Sequence, residues 1–314
     1  MILEVKNLTK RYGAAVAVDD ISFSIKKGET VGFLGRNGAG KTTTMNMITG
    51  YISSTSGTVL IDGHDILTEP DEAKRLIGYL PEHPPLYLDM TVREYLDFVA
   101  QLKGVMEAKA KKKNIDKILD CVKLGDVYGR LIGNLSKGYR QRVGMAQALV
   151  GDPEILIWDE PTVGLDPKQI IEIRSLIKNL GADRTMILSS HILNEVADVC
   201  QRVLIINKGK IVAEDSINNL SRGIETVNRM TVRIGANERS VGRLLRELSG
   251  VRYIECLGVK EPNTVDFIVE SDKGADVRRA MFNQLARAGY PIMMLKPVDV
   301  TLEDVFLKVT GEEN

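Results

Sequence analysis

The stretch GRNGAGKT, Gly35 to Thr42, fits the pattern G-x-x-x-x-G-K-[ST]. The β-rich run TVGFLG leads into it and the helix-like TTMNMITG follows. That order suits an anion cradle. Gly35, Gly38 and Gly40 let the backbone curl until successive N–H groups face one anion. The helix that starts behind them adds its positive end. Lys41 is the side chain placed to reach β- and γ-phosphates, and the Thr42 hydroxyl can ligate Mg²⁺. Arg36, Asn37, Ala39 and Thr43 complete the loop and the first turn behind it.

A second constellation matches the first. ILIWDEP is an apolar strand that ends in Asp159 and Glu160. Carboxylates at the C-terminal end of a parallel strand lie where open α/β sheets bind ligands. Asp159 suits the Mg²⁺ shell, and Glu160 can take a proton from an attacking water. Neighbouring strand residues face opposite ways, so the turn at Pro161 must aim both carboxylates at one place.

These residues need a scaffold, and the chain of 314 residues is long enough for more than one domain. Lys+Arg and Asp+Glu both total 42, so no basic excess points to nucleic acid. No apolar run is long enough for a membrane helix or a secretory leader. Cys121, Cys200 and Cys256 are far apart and odd in number, the pattern of buried thiols in a reducing cytosol.

Up to about residue 220 the β-rich runs ILEV, ISFSI, TVGFLG, GTVLIDG, EILIWDEP, TMILSSH and RVLIINKGKIV alternate with helical stretches. Apolar runs such as ILIW and TMILSS predict a parallel sheet covered on both faces. Residues 91–130 predict helices, and the lysines of EAKAKKKNIDK predict a solvated helix face. We divide the chain into a domain over 1–220 and a second over 221–314. In the second, RMTVRIG, ERSVGRLLRELSG, VRYIECLG, TVDFIVE, GADVRRAMFNQLARAG and PIMMLKP read β-α-β-β-α-β, the ferredoxin-like order. SRGIETV predicts the linker. A closing helix, TLEDVFLKVTG, carries an apolar stripe of Leu302, Val305, Phe306 and Val309. LSKGYRQR, residues 135–142, predicts a polar segment outside the core, just before the helix VGMAQALV.

With these motifs in hand, nearly the whole chain resembles the ATP-binding subunit of an export-type ABC transporter, the class whose permease is a separate chain. GRNGAGKT resembles the Walker A motif, with Arg36 where Pro is commoner. ILIWDE resembles Walker B, with Trp158 in a usually aliphatic place. TVGLD, ending at Asp166, resembles the D-loop, and His191 of LSSH the switch histidine. Tyr12 of KRYG resembles the aromatic that stacks on adenine. LSKGYRQR resembles the signature usually written LSGGQ; it keeps Ser136 and Gly138 and departs at Lys137 and Tyr139. In GYLPEHPP, Glu82 stands where the family has a Mg²⁺-touching glutamine.

The resemblance implies an α/β P-loop NTPase fold: a parallel-sheet core, an antiparallel β subdomain and an α-helical subdomain. It implies ATP and Mg²⁺ as cofactors, with Thr42, Glu82 and Asp159 around the metal. Lys41, Glu160 and His191 would serve catalysis. Ser136 and Gly138 would face the γ-phosphate held by a second subunit. The implied partners are an integral-membrane permease and a second ATPase subunit, identical or paired, on the cytoplasmic face of the inner or plasma membrane. The Pro-rich PEHPPLYLDMT would form part of the permease contact. Two other readings stay open from the residues: a soluble ATPase of this superfamily acting on nucleic acid or ribosomes, and an ATP-switched regulatory protein. One P-loop, no heptad run and balanced charge weigh against the first. The lack of a polar constellation in the second domain weighs against the other.

Lys41 carries the sharpest consequence. Lys41→Ala is expected to abolish ATP hydrolysis and to weaken ATP binding, measured by phosphate release and nucleotide titration. A near-wild-type rate contradicts the P-loop assignment.

Overall fold

The computed structural model describes residues 1–216, 219, 227–272 and 274–297. The closing helix and nearly all of the linker expected from the sequence lie outside these residues. The chain forms two compact units, Met1–Ile217 and Asn218–Asn314.

The first unit holds a six-stranded sheet with strand order β10-β9-β3-β8-β7-β6. Its strands are β3 (Thr30–Leu34), β6 (Ile77–Leu80), β7 (Ile155–Asp159), β8 (Thr185–Ser190), β9 (Arg202–Asn207) and β10 (Lys210–Ser216). Every residue of β3, β7 and β8 is buried. That is why these runs read as unbroken apolar stretches: a parallel strand covered on both faces has no solvent side to alternate toward. The parallel pairs are β9–β3, β3–β8, β8–β7 and β7–β6. RVLIINKGKIV is a hairpin, β9 turning into antiparallel β10 at Lys208 and Gly209, both with positive φ.

Register places the chemistry. Leu34 at the end of β3 pairs with Ser190, and Asp159 at the end of β7 pairs with Ser189. Strand β8 therefore lies between the two motifs and brings both to one edge of the sheet. A separate antiparallel sheet, in the order β2-β1-β4-β5, is built from β1 (Leu3–Tyr12), β2 (Ala15–Ile25), β4 (Ser56–Ile61) and β5 (His64–Asp65). It shares a core with β3, where Phe23 meets Phe33 at a centroid distance of 5.8 Å.

The helices are α1 (Lys41–Ile48), α2 (Pro70–Arg75), α3 (Val92–Leu102), α4 (Ala108–Val122), α5 (Lys137–Leu149), α6 (Pro167–Gly181) and α7 (Leu193–Ala197). Thr91 and Glu94 form a capping box that starts α3. Helix α4 buries Ile115, Ile118, Leu119 and Val122 and turns most of its lysines to solvent, with Lys111 paired to Asp97 at 3.4 Å.

One expectation is corrected here. LSKGYRQR does not precede a helix; Ser136 is the N-cap of α5 and the residues after it are its first turns. The segment is also not wholly outside the core, because Gly138, Gln141 and Arg142 are buried. Its polar side chains hid this, since each finds a partner: Gln141 on the Pro161 carbonyl, Arg142 on Glu172 and the Val122 carbonyl.

The second unit runs β11 (Val227–Ile234), α8 (Glu238–Arg246), β12 (Val251–Gly258), β13 (Val265–Asp272), α9 (Arg278–Arg287), β14 (Ile292–Pro297). The strands form one antiparallel sheet in the order β12-β13-β11-β14, the ferredoxin-like arrangement. Asn237 caps α8 by accepting from the Ser240 N–H at 3.0 Å. Val241 and Leu245 of α8 and Met281 and Leu285 of α9 pack on Val232, Phe267 and Val269.

All three cysteines are free thiols, but only Cys200 is buried as the sequence led us to expect; Cys121 is exposed and Cys256 is half-buried. Burial pushes the Cys200 thiol well above the ordinary range, so it behaves as an apolar core group. No helix among the described residues is long and apolar enough to cross a membrane.

Phe33 is fully buried at the junction of the two sheets of the first unit. Phe33→Ala is expected to cost about 3–5 kcal/mol of that unit's stability. Trp158 is the only tryptophan and is fully buried in β7, so its emission in urea reads the unit directly. An unchanged midpoint contradicts the packing described here.

Candidate active site

The loop Gly35–Gly40 leaves the end of β3 and enters α1. Two of its glycines are required by space. A Cβ on Gly35 would stand 2.6 Å from the Ile206 carbonyl oxygen, and one on Gly40 would stand 2.7 Å from the Ala17 carbonyl oxygen. Gly40 also has φ 111°, which an L side chain rarely adopts. The loop is thereby pressed against β2 and β9. Lys41 is 6% exposed; its ammonium donates to the Gly35 carbonyl at 2.8 Å and the Arg36 carbonyl at 3.3 Å.

Across from the loop, β7 delivers the carboxylates. Asp159 is fully buried. The Ser189 hydroxyl donates to its Oδ1, while Oδ2 is buried without a hydrogen-bond partner. Burial pushes the Asp159 carboxyl above the ordinary aspartate range. The Ser189 and Thr42 hydroxyls work against that push, and the negative charges of Glu160 and Glu82 add to it.

The next residue turns sharply. Glu160 has φ 47°, in the left-handed region. Its N–H donates to the Ser189 hydroxyl at 2.9 Å and its carbonyl accepts from the Val163 N–H at 3.2 Å. This turn answers how two adjacent strand residues can serve one site. The Glu160 side chain swings over the loop, with Oε1 at 3.1 Å from the Lys41 ammonium and Oε2 at 2.8 Å from Nδ1 of His191. His191 follows β8 directly and keeps an exposed face.

These groups enclose a cavity of about 340 Å³ lined among others by Gly38, Lys41, Thr42, Glu82, Glu160 and His191. Arg36, Asn37, Gly40 and Thr43 line it too. Thr42 and Glu82 also line a neighbouring cavity of about 670 Å³, with Asp159, Tyr79, Lys103 and Gln147. A hard divalent cation fits the donors present: the Thr42 hydroxyl, the orphaned Asp159 Oδ2 and the nearby Glu82 carboxylate. Among the described residues no group of three or more His, Cys, Asp or Glu forms a metal cage. Such a sparse set suits an ion that completes its shell with phosphate oxygens and water.

The remaining predicted residues lie elsewhere. Ser136 sits at the exposed start of α5, where its hydroxyl accepts from the Tyr139 N–H at 3.4 Å. Gly138 is buried, and a Cβ there would stand 2.7 Å from the Gln169 side chain. Asp166 is exposed and caps α6 by accepting from the Gln169 N–H at 2.9 Å. Tyr12 is half exposed at the end of β1, with the Lys10 ammonium 5.1 Å from its ring centroid. None of these four lines the cavity. Ala39 is a buried spacer of the loop, its N–H bonded to the Arg36 carbonyl.

Sequence reasoning missed Ser189, which touches both carboxylate residues. It also missed the bond from the Thr162 hydroxyl to Glu195 at 2.6 Å, which fastens the turn after Pro161. A serine inside an apolar strand carries no motif; its one sequence signal is that it lies two residues before His191.

A family model described as ABC transporter matches residues 18–163. The bacitracin transport ATP-binding protein of Bacillus licheniformis is 42% identical over 223 residues, 70% of this chain and 72% of that protein. The linearmycin resistance ATP-binding protein of Bacillus subtilis is 33% identical over 313 residues, 99% of this chain and 98% of that one. Among solved structures, an ATP-binding subunit of an ABC transporter is similar with a TM-score of 0.65 at 30% identity, covering 71% of this chain and 93% of that chain. A dimeric ATP-binding cassette in a post-hydrolysis state, bound to ADP and Pi, is similar with a TM-score of 0.63 at 28% identity, covering 68% and 98%.

The raised Asp159 carboxyl makes a pH prediction. A folded-state pKa above the unfolded value means that the folded chain binds more protons as pH passes the ordinary aspartate range, so stability falls with rising pH there. Without nucleotide, Asp159→Asn is expected to raise the urea midpoint at neutral pH and to flatten its fall between mildly acidic and neutral pH. Affinity for MgATP is expected to drop in the same variant. A lower midpoint at neutral pH contradicts the strain assigned to this carboxylate.

Proposed function

The chain belongs to the ABC transporter family of ATP-binding proteins, and from that premise we propose that it hydrolyses ATP as one half of a dimer and so drives an export permease. The observation that carries this reading is the meeting of Lys41, Glu160 and His191 in one cavity, with Ser136 and Asp166 on the surface outside it. One chain holds a phosphate cradle and a base but leaves the cradle open toward solvent. A second copy, presenting Ser136 and the N-terminus of its own α5, supplies an anion clamp without a nucleophile.

In this reading Lys41 leaves Glu160 for the β- and γ-phosphates of ATP, where a fixed cation stabilises the charge that builds up during transfer. That exchange frees Glu160 Oε1, the oxygen now paired with the ammonium, to accept a proton from the attacking water. His191 holds the other oxygen through Nδ1 and so fixes the direction of the carboxylate. Tyr12, solvent-facing at the end of β1, offers a ring for the adenine. Mg²⁺, held by Thr42, Asp159 and Glu82, would neutralise charge on the phosphates.

The names of the similar bacterial proteins, bacitracin transport and linearmycin resistance, favour export of small toxic molecules through a separate membrane subunit. The cavity of about 670 Å³ beside the site, walled in part by Pro81, Glu82, His83 and Pro85, is the proposed seat of the permease contact. It shares Glu82 with the nucleotide cavity, so a permease segment there would touch the metal shell directly. The chain would then work at the cytoplasmic face of the membrane. The ferredoxin-like unit has its own hydrophobic core, and we assign it a role in subunit pairing or in limiting closure.

Glu160→Gln separates binding from chemistry. The variant is expected to bind ATP, to lose turnover by about a hundredfold or more, and to accumulate as a dimer with MgATP. Size-exclusion runs with and without MgATP, beside a phosphate-release assay, decide it. Retained turnover removes Glu160 as the base, and a chain that stays monomeric removes the sandwich.

A further inference from the structure

The segment LSKGYRQR holds one buried polar side chain that the ATP clamp does not use. Gln141 is 6% exposed, one turn into α5 beyond Gly138, and its amide Nε2 donates to the Pro161 carbonyl at 3.1 Å. Pro161 is the residue immediately after Glu160 and is itself buried. We propose that Gln141 is a positioning residue through which the signature helix of one chain sets the aim of the same chain's Glu160, and so couples the two ATP sites of the dimer.

The argument starts from the strain at Glu160. A glutamate at φ 47° holds its conformation only when its surroundings over-determine it. The turn is tied from β8 by Ser189, from within by Val163, from α7 by Glu195 through Thr162, and from α5 by Gln141. Only the last of these ties comes from the helix capped by Ser136. That helix is locked to the segment after the turn at three further points. Gly138 lies against the Gln169 side chain of α6 so closely that a Cβ would overlap it, and Arg142 pairs with Glu172 of α6. Lys137 extends over Gly164 in the same way. The start of α5, the Glu160–Pro161 turn and the start of α6 therefore move as a block.

This inference rests on the dimer reading above, in which Ser136 faces the γ-phosphate bound by the partner subunit. A shift of α5 on engaging that phosphate pulls on the Pro161 carbonyl through Gln141. The carbonyl follows Glu160 by one peptide unit, so the base of this chain reads the occupancy of the other site. The side chain never touches nucleotide, which is why its sequence position just past the signature gives no hint of a role.

The test uses the intact protein and MgATP. Wild type is expected to hydrolyse ATP with a Hill coefficient of about 2, the ceiling for two sites. Gln141→Met keeps the length of the side chain and removes the donor. It is expected to lower kcat about tenfold and to bring the Hill coefficient toward one. ATP affinity of the single chain should stay unchanged, as should the ATP-dependent dimer in a Glu160→Gln background. Gln141→Asn keeps an amide one methylene short and is expected to recover part of both kcat and cooperativity, a rescue that a mere packing role would not produce. Thermal unfolding midpoints of both variants keep a folding defect apart from a coupling defect; if Gln141→Met does not fold, the Asn variant alone carries the comparison. Wild-type kcat and Hill coefficient in the Met variant, or a lower kcat with cooperativity intact, overturn the proposal. A non-cooperative wild type does so too. If Glu160→Gln alone forms no ATP-dependent dimer, the sandwich reading fails first and this inference with it, whatever Gln141 does.

Discussion

One hydroxyl holds the site together. Ser189 Oγ donates to Asp159 and accepts from the Glu160 N–H, so a single atom fixes a strand end and the turn that follows. The arrangement is costly without it. A left-handed glutamate costs about 1–3 kcal/mol, and a buried carboxylate lacking hydrogen bonds costs more. Hydrogen bonds to a charged group return about 1.5–3 kcal/mol each, enough to offset the turn. Ser189 can do this because β8 lies between β3 and β7 in the sheet, in register with Asp159. The glycine-rich loop, Asp159 and Glu160 are thus referred to one central strand, and errors in their spacing are limited by backbone ladders instead of flexible side chains.

The Lys41–Glu160 pair follows from the same confinement. Two carboxylates adjacent in sequence and both nearly inaccessible would repel each other in a low-dielectric site. The ammonium of Lys41 is the cation within reach of Glu160, and it is itself 6% exposed. Each group therefore compensates the other in this structure. Phosphates compete for a lysine with more charge and better geometry, so in the proposed reading substrate binding would release Glu160.

Much of this was legible in the sequence. GRNGAGKT and ILIWDEP each combine a strand end with groups suited to act together on a phosphate, and the structure brings both to one edge of the sheet. The β-α-β-β-α-β order of the second unit was legible because each element carries its own period. What stayed hidden were contacts whose partners are far apart in the chain and ordinary in type: Ser189 with Asp159, Gln141 with Pro161, Thr162 with Glu195. LSKGYRQR misled for the same reason. Its polarity looks like exposure, yet Gln141 and Arg142 are buried because carbonyls and a carboxylate from three other segments meet them. Hydropathy measures transfer of an unpaired group; it does not register a group whose hydrogen bonds are already made.

The division between buried and exposed residues in that segment also accounts for its odd composition. Gly138, Gln141 and Arg142 face inward and lock α5 to the turn after Glu160 and to α6, while Ser136 and Lys137 face solvent at the helix start. The inward residues are constrained by this chain's own packing: Gly138 by the space Gln169 occupies, Gln141 by a carbonyl, Arg142 by a carboxylate and a carbonyl. Ser136 caps its own helix and Lys137 lies over Gly164, and both keep an exposed side on which another molecule can dock. A helix start that carries a serine and an exposed lysine is suited to an anion, in keeping with the proposed docking on the phosphate cradle of a second chain. One helix thus has a solvent-facing start and an inner face fastened to the turn after Glu160, which is the geometry that the proposed pair of mutually completing sites requires.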